Sequence, residues 1–239
     1  MEALVSELKK YDDGYKTLHA RDIGKHVQVE YPIIKNNKLL PSAKLVYAFI
    51  RLYMIRQTRK AYVSMRVLRK KTGYAYDTIN KSIQKLIEHG YLVVEQEKLE
   101  RDNRFVQNIY YFITDDEQFA QITNFFLEST LLSTREKEFI LLLFPFLLPN
   151  DRVGSLSNIV DYPTLAGMTG LSINTVRSRM KSLRSKGLVE DAYARISGNH
   201  EERCVGWAFD MKAIMLDATI NIAEERKMYY YRLKEYGLE

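Results

Sequence analysis

The chain has 239 residues and is poor in cysteine, proline and glycine, and each shortage excludes a class of protein. Cys204 is the one cysteine, which excludes an internal disulfide and a cysteine-based zinc site. With 5 prolines and 11 glycines, the sequence has little room for a long flexible linker. The remaining composition, 46% hydrophobic and 28% charged, is typical of a folded chain with a core, and the length suits two compact domains.

Long apolar runs are also missing. No run approaches the roughly 18 to 20 apolar residues of a membrane span, and residues 1–10 lack the basic-then-apolar pattern of a signal peptide. The 4 histidines form no His-x-His pair, no Gly-x-x-x-x-Gly-Lys phosphate loop occurs, and the tyrosines at 229–231 have no supporting catalytic group. We therefore expect a cytoplasmic protein that is not an enzyme, binds no metal or cofactor and does not associate with a membrane.

The net charge of +6 is unevenly distributed along the sequence. Residues 42–92 contain eleven Lys and Arg against only Asp77 and Glu88, and residues 162–189 contain five Lys and Arg and no acid. The rest of the chain is therefore acidic on balance. Such clusters favour a polyanionic partner, although a solvated helix face explains either cluster alone.

The two basic segments are copies of one pattern. A shift of 97 residues aligns residues 65–92 with residues 162–189. The identical pairs are Leu68/Leu165, Thr72/Thr169, Gly73/Gly170, Thr78/Thr175, Leu86/Leu183 and Gly90/Gly187. Apolar residues recur at spacings of four and three, namely at Ile79, Ile83 and Leu86 and at Val176, Met180 and Leu183. Each copy therefore predicts a helix with one buried face.

An amphipathic helix is predicted before each copy. In the first copy Ser42 is the expected N-cap of this helix. In the second copy Ser133 is the expected N-cap, and Glu136 three residues later completes a capping box. Each predicted domain therefore has a first core helix upstream of the repeat.

Within each copy, the Thr-Gly pair predicts a tight turn between two helices. Gly73 and Gly170 are expected to adopt positive φ there. Ser172 is a good N-cap for the helix that follows in the second copy, whereas Ala75, its counterpart, is a poor one. After that helix, two strand-like runs flank a polar stretch in both copies, which predicts a β-hairpin.

Three helices followed by a hairpin resemble the winged helix-turn-helix. The phrases TGYAYDTINKSIQKLIEHGYL and TGLSINTVRSRMKSLRSKGLV are similar to the turn and recognition helix of that superfamily. The upstream phrase YPIIKNNKLLPSAKLVYAFIRLYM is similar to the entry of the N-terminal winged-helix domain of plasmid and phage replication initiators. The resemblance covers residues 42–112 and 133–209 and implies tandem winged-helix domains that bind DNA.

The expected fold class is therefore α+β, mainly α. We expect an N-terminal extension (1–41), a winged-helix domain (42–114), a linking helix (115–132), a second winged-helix domain (133–210) and a C-terminal helix (211–239). The last helix, from Met211 to Tyr236, has two interpretations: it packs on the second domain, or it pairs two protomers in a homodimer.

The exposed face of each recognition helix carries the side chains predicted to read base edges in the major groove. These are Tyr76, Asn80, Lys81 and Gln84 in the first copy, and Asn174, Arg177, Ser178 and Lys181 in the second. The side chains predicted to bind DNA phosphates are Lys44, Arg66, Arg69, Lys70, Lys71, Lys85, Arg101, Arg104, Arg179 and Arg184. For any single residue of these sets, a solvated surface position is an equal interpretation.

We expect a sequence-specific, double-stranded DNA-binding protein, associated with the nucleoid, that regulates transcription in a bacterial mobile element such as a phage or plasmid. The first alternative is a replication initiator that binds repeated sites at an origin. The second is a winged-helix scaffold that binds other proteins.

Overall fold

The structure is a computed structural model that describes residues 26–55, 57–98, 106–113, 118–146, 148–150, 155–158, 161–195 and 202–209. Within these ranges the chain is a mixed α/β protein made of helices and small antiparallel sheets. We call residues 26–112 the first half and residues 119–209 the second half.

The described residues of the first half form four helices and five strands. They are β1 (His26–Glu30), α1 (Tyr31–Lys35), α2 (Pro41–Leu52), β2 (Met54–Ile55), β3 (Lys60–Tyr62), α3 (Met65–Thr72), α4 (Tyr76–Glu88), β4 (Leu92–Lys98) and β5 (Val106–Phe112). Strands β2 to β5 form one antiparallel sheet in the order β2-β3-β5-β4, so the predicted hairpin after α4 is confirmed.

Helix α2 begins earlier than its sequence suggests. Its N-cap is Leu40 and its first residue is Pro41, so the expectation that Ser42 caps this helix is wrong. Proline is favoured at the first helical position because its φ is already near the helical value and it has no N–H that would lack a partner. The helix is then buried along nearly all its length, including Leu45, Phe49 and Ile50.

The second half repeats every one of these elements in the same order. They are β6 (Phe119–Thr123), α5 (Asn124–Glu128), α6 (Thr134–Leu143), β7 (Leu148–Asn150), β8 (Ser155–Asn158), α7 (Tyr162–Thr169), α8 (Ile173–Ser185), β9 (Val189–Arg195) and β10 (Glu202–Phe209). The sheet order β7-β8-β10-β9 matches that of the first half strand for strand. A short 3-10 helix, Phe144–Phe146, extends α6. The capping box between Ser133 and Glu136 is confirmed at the start of α6.

The prediction of a single linking helix over 115–132 is wrong, because the described part of this segment, residues 118–132, is not one helix. Phe119–Thr123 is a strand, and only Asn124–Glu128 is helical. Ala120 and Ile122 are buried at the two-residue spacing of a strand that has one buried face. Backbone hydrogen bonds to β1 hold this segment extended, although its apolar spacing also suits a helix. The segment is thus the counterpart of β1 and α1.

Strands β1 and β6 pair antiparallel and join the two halves. Gln28 lies opposite Gln121, which is the equivalent residue 93 positions later. Because each pairs with its own counterpart in an antiparallel ladder, a local two-fold axis passes between them. The two halves are therefore related at this joint as the protomers of a symmetric dimer are.

A second pair of equivalent residues repeats this symmetry. Lys44 Nζ donates to the carbonyl oxygen of Ile34 at 2.6 Å, and Lys137 Nζ donates to that of Leu127, also at 2.6 Å. Both lysines are buried. Each therefore ties the first long helix of its half to the short helix before it.

The hydrophobic core is continuous across the two halves. Helices α2 and α6 pack against each other, and the core includes buried side chains from both, such as Phe49 and Phe139. Phe126 of α5 is also fully buried and packs edge-on against Phe144. The arrangement of the two halves is thus fixed by packed side chains as well as by strand pairing.

The predicted C-terminal helix, Met211 to Tyr236, lies outside the described residues, as does the N-terminal extension up to residue 25. Its pairing of two protomers stays a prediction.

Candidate nucleic-acid interface

The turn between α3 and α4 has the predicted backbone geometry. Gly73 has φ of 73°, the left-handed region that favours glycine, which confirms the expectation from the sequence. The Thr72 hydroxyl donates to the Leu68 carbonyl at 2.7 Å and accepts from the Tyr74 N–H at 3.2 Å. This buried hydroxyl therefore closes α3 and sets the direction in which the chain leaves it.

The turn between α7 and α8 is built in the same way. Gly170 has φ of 70°, as predicted. The Thr169 hydroxyl donates to the Leu165 carbonyl at 2.7 Å and accepts from the Leu171 N–H at 3.4 Å. The two helix pairs are therefore equivalent in backbone and in side-chain bonding.

The helices that follow the turns differ in their caps. Ser172 Oγ accepts from the Thr175 N–H at 3.2 Å and caps α8, as predicted. Ala75 has nearly the same backbone angles at the start of α4 but offers no side-chain acceptor. Helix α4 instead has Asp77 in its first turn, where a negative charge interacts favourably with the helix dipole and stabilises the helix.

The buried stripes of α4 and α8 lie where the sequence placed them. Ile79, Ile83 and Leu86 of α4 are buried, as are their counterparts on α8. The eight side chains predicted to read bases are all exposed. They are Tyr76, Asn80, Lys81 and Gln84 on α4, and Asn174, Arg177, Ser178 and Lys181 on α8. Contact with bases stays a prediction for each of them.

Lys44 was assigned to phosphate binding, and this assignment is wrong. Its side chain is only 2% exposed and donates to Ile34, as described above. Burial lowers the pKa of the Lys44 ammonium to about 8, because the charged form is costly away from water. The residue supports the fold and cannot reach a duplex.

Among the other phosphate candidates, Arg66, Arg69 and Lys70 are exposed on α3. Lys85 is exposed on α4 and lies 2.7 Å from Glu88. The wing residues Arg101 and Arg104 fall outside the described residues.

Lys71 lies at the joint between the halves. Its ammonium is 2.7 Å from the Glu128 carboxylate of α5, and both side chains are largely buried. Its charge is therefore compensated by an acid of the second half, which makes it a weaker candidate for phosphate binding than its exposed neighbours on α3.

In the second half, two arginines converge on one aromatic ring. The guanidinium carbons of Arg177 and Arg184 lie 6.0 and 5.9 Å from the centre of the Tyr162 ring. Arg184 also donates to the Tyr162 hydroxyl at 2.6 Å. In the first half, Arg69 of α3 lies 4.9 Å from the ring centre of Tyr76 on α4. Cation–π contacts of this kind orient a guanidinium without removing its charge.

The position of each turn against the opposite half was not apparent from the sequence. The Thr134 hydroxyl of α6 donates to the Thr72 carbonyl at 2.7 Å, and the Tyr74 hydroxyl donates to the Glu138 carboxylate. A methyl group on Gly170 would lie 3.1 Å from the side-chain oxygen of Asn37. Each turn thus packs on the segment that leads into, or begins, the first long helix of the opposite half.

Glu136 is a buried carboxylate that the sequence identified only as half of a capping box. It accepts from the Ser133 backbone N–H at 2.7 Å, from the Ser182 hydroxyl at 2.7 Å and from the Lys186 ammonium at 2.6 Å. Burial alone would raise the pKa of Glu136, but these donors outweigh it and lower the pKa to about 2. Glu136 therefore anchors the C-terminal end of α8 to the N-terminus of α6.

Within the described part of the chain, no three His, Cys, Asp or Glu side chains are placed to hold a metal ion. None of the helices resolved there is both long and apolar enough to cross a bilayer.

No curated protein matches this chain. A family described as "Helix-turn-helix domain" does match, over residues 37–92. The match runs from the loop before α2, through the three helices α2, α3 and α4 and the Gly73 turn, to the first residue of β4. This part of the chain is therefore similar to helix-turn-helix domains.

Proposed function

We propose that this protein binds double-stranded DNA in a sequence-specific manner through two winged-helix domains and regulates transcription in a bacterial mobile element, such as a phage or plasmid. The observation that carries the proposal is that α4 and α8 are equivalent helices, each with an exposed face that carries polar side chains, in halves that meet at a local two-fold axis. Dimeric helix-turn-helix proteins present two recognition helices to one duplex through such an axis. The protein acts as a non-enzymatic binder in the cytoplasm, on the nucleoid.

A second candidate is a replication initiator that binds repeated sites at an origin. The segment similar to initiator entries forms α1 and α2, and α2 is the helix through which the two halves pack. This role uses the same DNA interface, so the two candidates differ in where the protein binds in a genome. Mapping of bound genomic sites separates them: sites at promoters support the regulator, and clustered repeats at an origin support the initiator.

DNA binding itself is tested with the full-length protein. Sequences enriched from a random duplex library give a preferred site, and the logarithm of its affinity is then measured against the logarithm of salt concentration. We expect a slope of about −0.9 for each phosphate neutralised, with roughly six to ten phosphates in contact. A slope near zero, with no enriched sequence, would contradict the proposal and favour a winged-helix scaffold that binds other proteins.

Footprinting on the enriched site tests the use of both halves. One protomer is expected to protect two major-groove segments about one helical turn apart, roughly 10 bp from centre to centre. The segments need not be palindromic, because the exposed residues of α4 and α8 differ at every aligned position. Protection of a single segment would contradict the use of two domains.

A further inference from the structure

The two halves distribute positive charge in opposite ways. In the first half, α3 carries four cations and no acid, whereas the two cations of α4 are balanced by Asp77 and Glu88. In the second half, α7 carries no charged residue, whereas α8 carries four cations and no acid. The cations are Arg66, Arg69, Lys70 and Lys71 on α3, and Arg177, Arg179, Lys181 and Arg184 on α8. Each helix pair thus has a net charge of +4, which lies on the first helix, α3, in the first half and on the second helix, α8, in the second half.

Aligned positions on the exposed faces of α4 and α8 show the same difference in charge. Asn80 and Gln84 of α4 are neutral amides, and their counterparts 97 residues later are Arg177 and Lys181. All four side chains are exposed. Amide side chains suit the edge of adenine, on which they can donate one hydrogen bond and accept another. A row of cations one helical turn apart suits a row of phosphates.

The cation–π contacts are also placed oppositely in the two halves. In the second half the cations are on α8 and the aromatic residue is on α7, because Arg177 and Arg184 both lie against the Tyr162 ring. In the first half the aromatic residue, Tyr76, is on α4, and the cation that lies against it, Arg69, is on α3. Tyr162 therefore holds two guanidiniums at fixed places beside the N-terminus of α7, where backbone amides add to the positive potential.

We infer that the two halves divide the work of DNA recognition. The first half reads bases: Asn80 and Gln84 contact the adenines of an A·T-containing segment while α3 binds the flanking phosphates. The second half binds the phosphate backbone through Arg177, Lys181 and Arg184 and tolerates many sequences. This inference rests on the proposed function and assigns Arg177 and Lys181 to phosphate rather than to base edges.

The test compares substitutions on the two faces in the full-length protein. The probes are the duplex enriched from a random library and a scrambled duplex of equal composition. Asn80→Ala and Gln84→Ala are expected to lower the preference for the enriched duplex about 5- to 100-fold and to leave the salt slope unchanged. Arg177→Ala and Lys181→Ala are expected to weaken both duplexes alike and to reduce the slope by about 0.9 each.

Two further variants control for charge and for folding. Lys60→Ala removes a cation from the outer face of the first sheet, where Lys60 lies on Tyr111, and is expected to change neither quantity. Arg177→Lys keeps the charge and is expected to restore the salt slope. If loss of the Tyr162 contact unfolds Arg177→Ala, Lys181→Ala still reports on the same row of cations.

A change of base preference with Arg177→Ala or Lys181→Ala at an unchanged salt slope would overturn the division of work. So would equal weakening of both duplexes by Asn80→Ala and Gln84→Ala. Either result leaves DNA binding by the wild-type protein intact. If instead the wild-type protein enriches no sequence and shows no salt dependence, both the inference and the proposed function fail.

Discussion

The Thr134 hydroxyl donates to the Thr72 carbonyl at 2.7 Å, so the first residue of α6 is bonded to the last residue of α3. The bond links the helix-turn-helix of the first half to the core of the second. Together with the contact of Tyr74 with Glu138, it holds the first turn against α6. These two hydrogen bonds therefore fix the direction of α4 relative to the second half.

The contribution of the Thr134–Thr72 hydrogen bond to the free energy of unfolding can be measured. Thr134→Val removes the hydroxyl and leaves the Thr72 carbonyl without this donor, so we expect a loss of about 1 kcal/mol in the free energy of unfolding, measured with urea. Thr58→Val, at an exposed threonine in the turn between β2 and β3, is the matched control and is expected to change stability by less than about 0.5 kcal/mol. Equal effects of the two substitutions would show that the bond does not stabilise the protein.

Alanine at the two turn glycines should destabilise the protein. At φ of 73° and 70°, Gly73→Ala and Gly170→Ala each cost roughly 1 to 2 kcal/mol, and the new methyl groups would also crowd Thr134 and Asn37. Gly167→Ala is the control, because Gly167 lies inside α7 with open space around it, and it should stabilise by about 0.5 to 1 kcal/mol. Thermal unfolding of the three variants measures these changes in stability. Destabilisation by Gly167→Ala as well would contradict the explanation that positive φ at Gly73 and Gly170 causes the loss.

The missing cap of α4 can be supplied. Ala75 has φ of −65° and ψ of 154°, close to the −67° and 149° of the capping residue Ser172. Ala75→Ser is therefore expected to stabilise the protein by about 1 kcal/mol, and Ser172→Ala to destabilise it by a similar amount. Chemical denaturation measures both. No gain from Ala75→Ser would mean that Asp77 already satisfies the first turn of α4.

Acid should unfold the protein partly through Glu136. Its pKa is about 2 in the folded protein against an ordinary value of 4.5, so the folded state binds a proton less readily than the unfolded state. The resulting stabilisation, on the order of 1 to 3 kcal/mol because the Lys186 partner is partly solvated, is fully present above pH 4.5 and is lost as the pH falls toward 2. Glu136→Gln should remove this dependence, as measured by unfolding from pH 2 to pH 7.

Glu88→Gln is the matched control for the acid experiment, because the Glu88 carboxylate is exposed and its pair with Lys85 lies on the surface. It should leave the acid dependence nearly unchanged. An unaltered pH profile in Glu136→Gln would show that the hydrogen bonds to Ser182 and Lys186 do not stabilise the folded state.

Local signals in the sequence were sufficient for the two turns and for the caps of α6 and α8, but not for the start of α2, where Pro41 rather than Ser42 begins the helix. Gly73, Gly170, Ser133 and Ser172 each depend on bonding within a few residues, so their roles follow from residue type and spacing. The buried stripes of α4 and α8 follow from periodicity for the same reason.

The strand β6 could not be predicted in this way. Phe119 and Ile122 have the three-residue spacing of a helical stripe, and the strand forms nonetheless because it pairs with β1 about 90 residues earlier. Only three residue pairs are identical between residues 26–50 and residues 119–143. The symmetry of the joint therefore lies in geometry more than in sequence.

The burial of Lys44 was missed because its partner is a backbone atom. A count of charges treats every lysine as a surface cation, and the Ile34 carbonyl leaves no trace in composition. A lysine between Ala43 and Leu45 in a helix that is apolar on most sides is a signal that could have found it.

The strand pair β1–β6 places a two-fold relation inside one polypeptide. In a homodimer every substitution appears twice, so both protomers must keep the same surface. Here each half is encoded separately, and a change on α8 leaves α4 untouched. The opposite placement of charge on the two helix pairs is a divergence that only a single-chain arrangement permits. Dilution cannot separate the halves either, so their pairing needs no threshold concentration of protein.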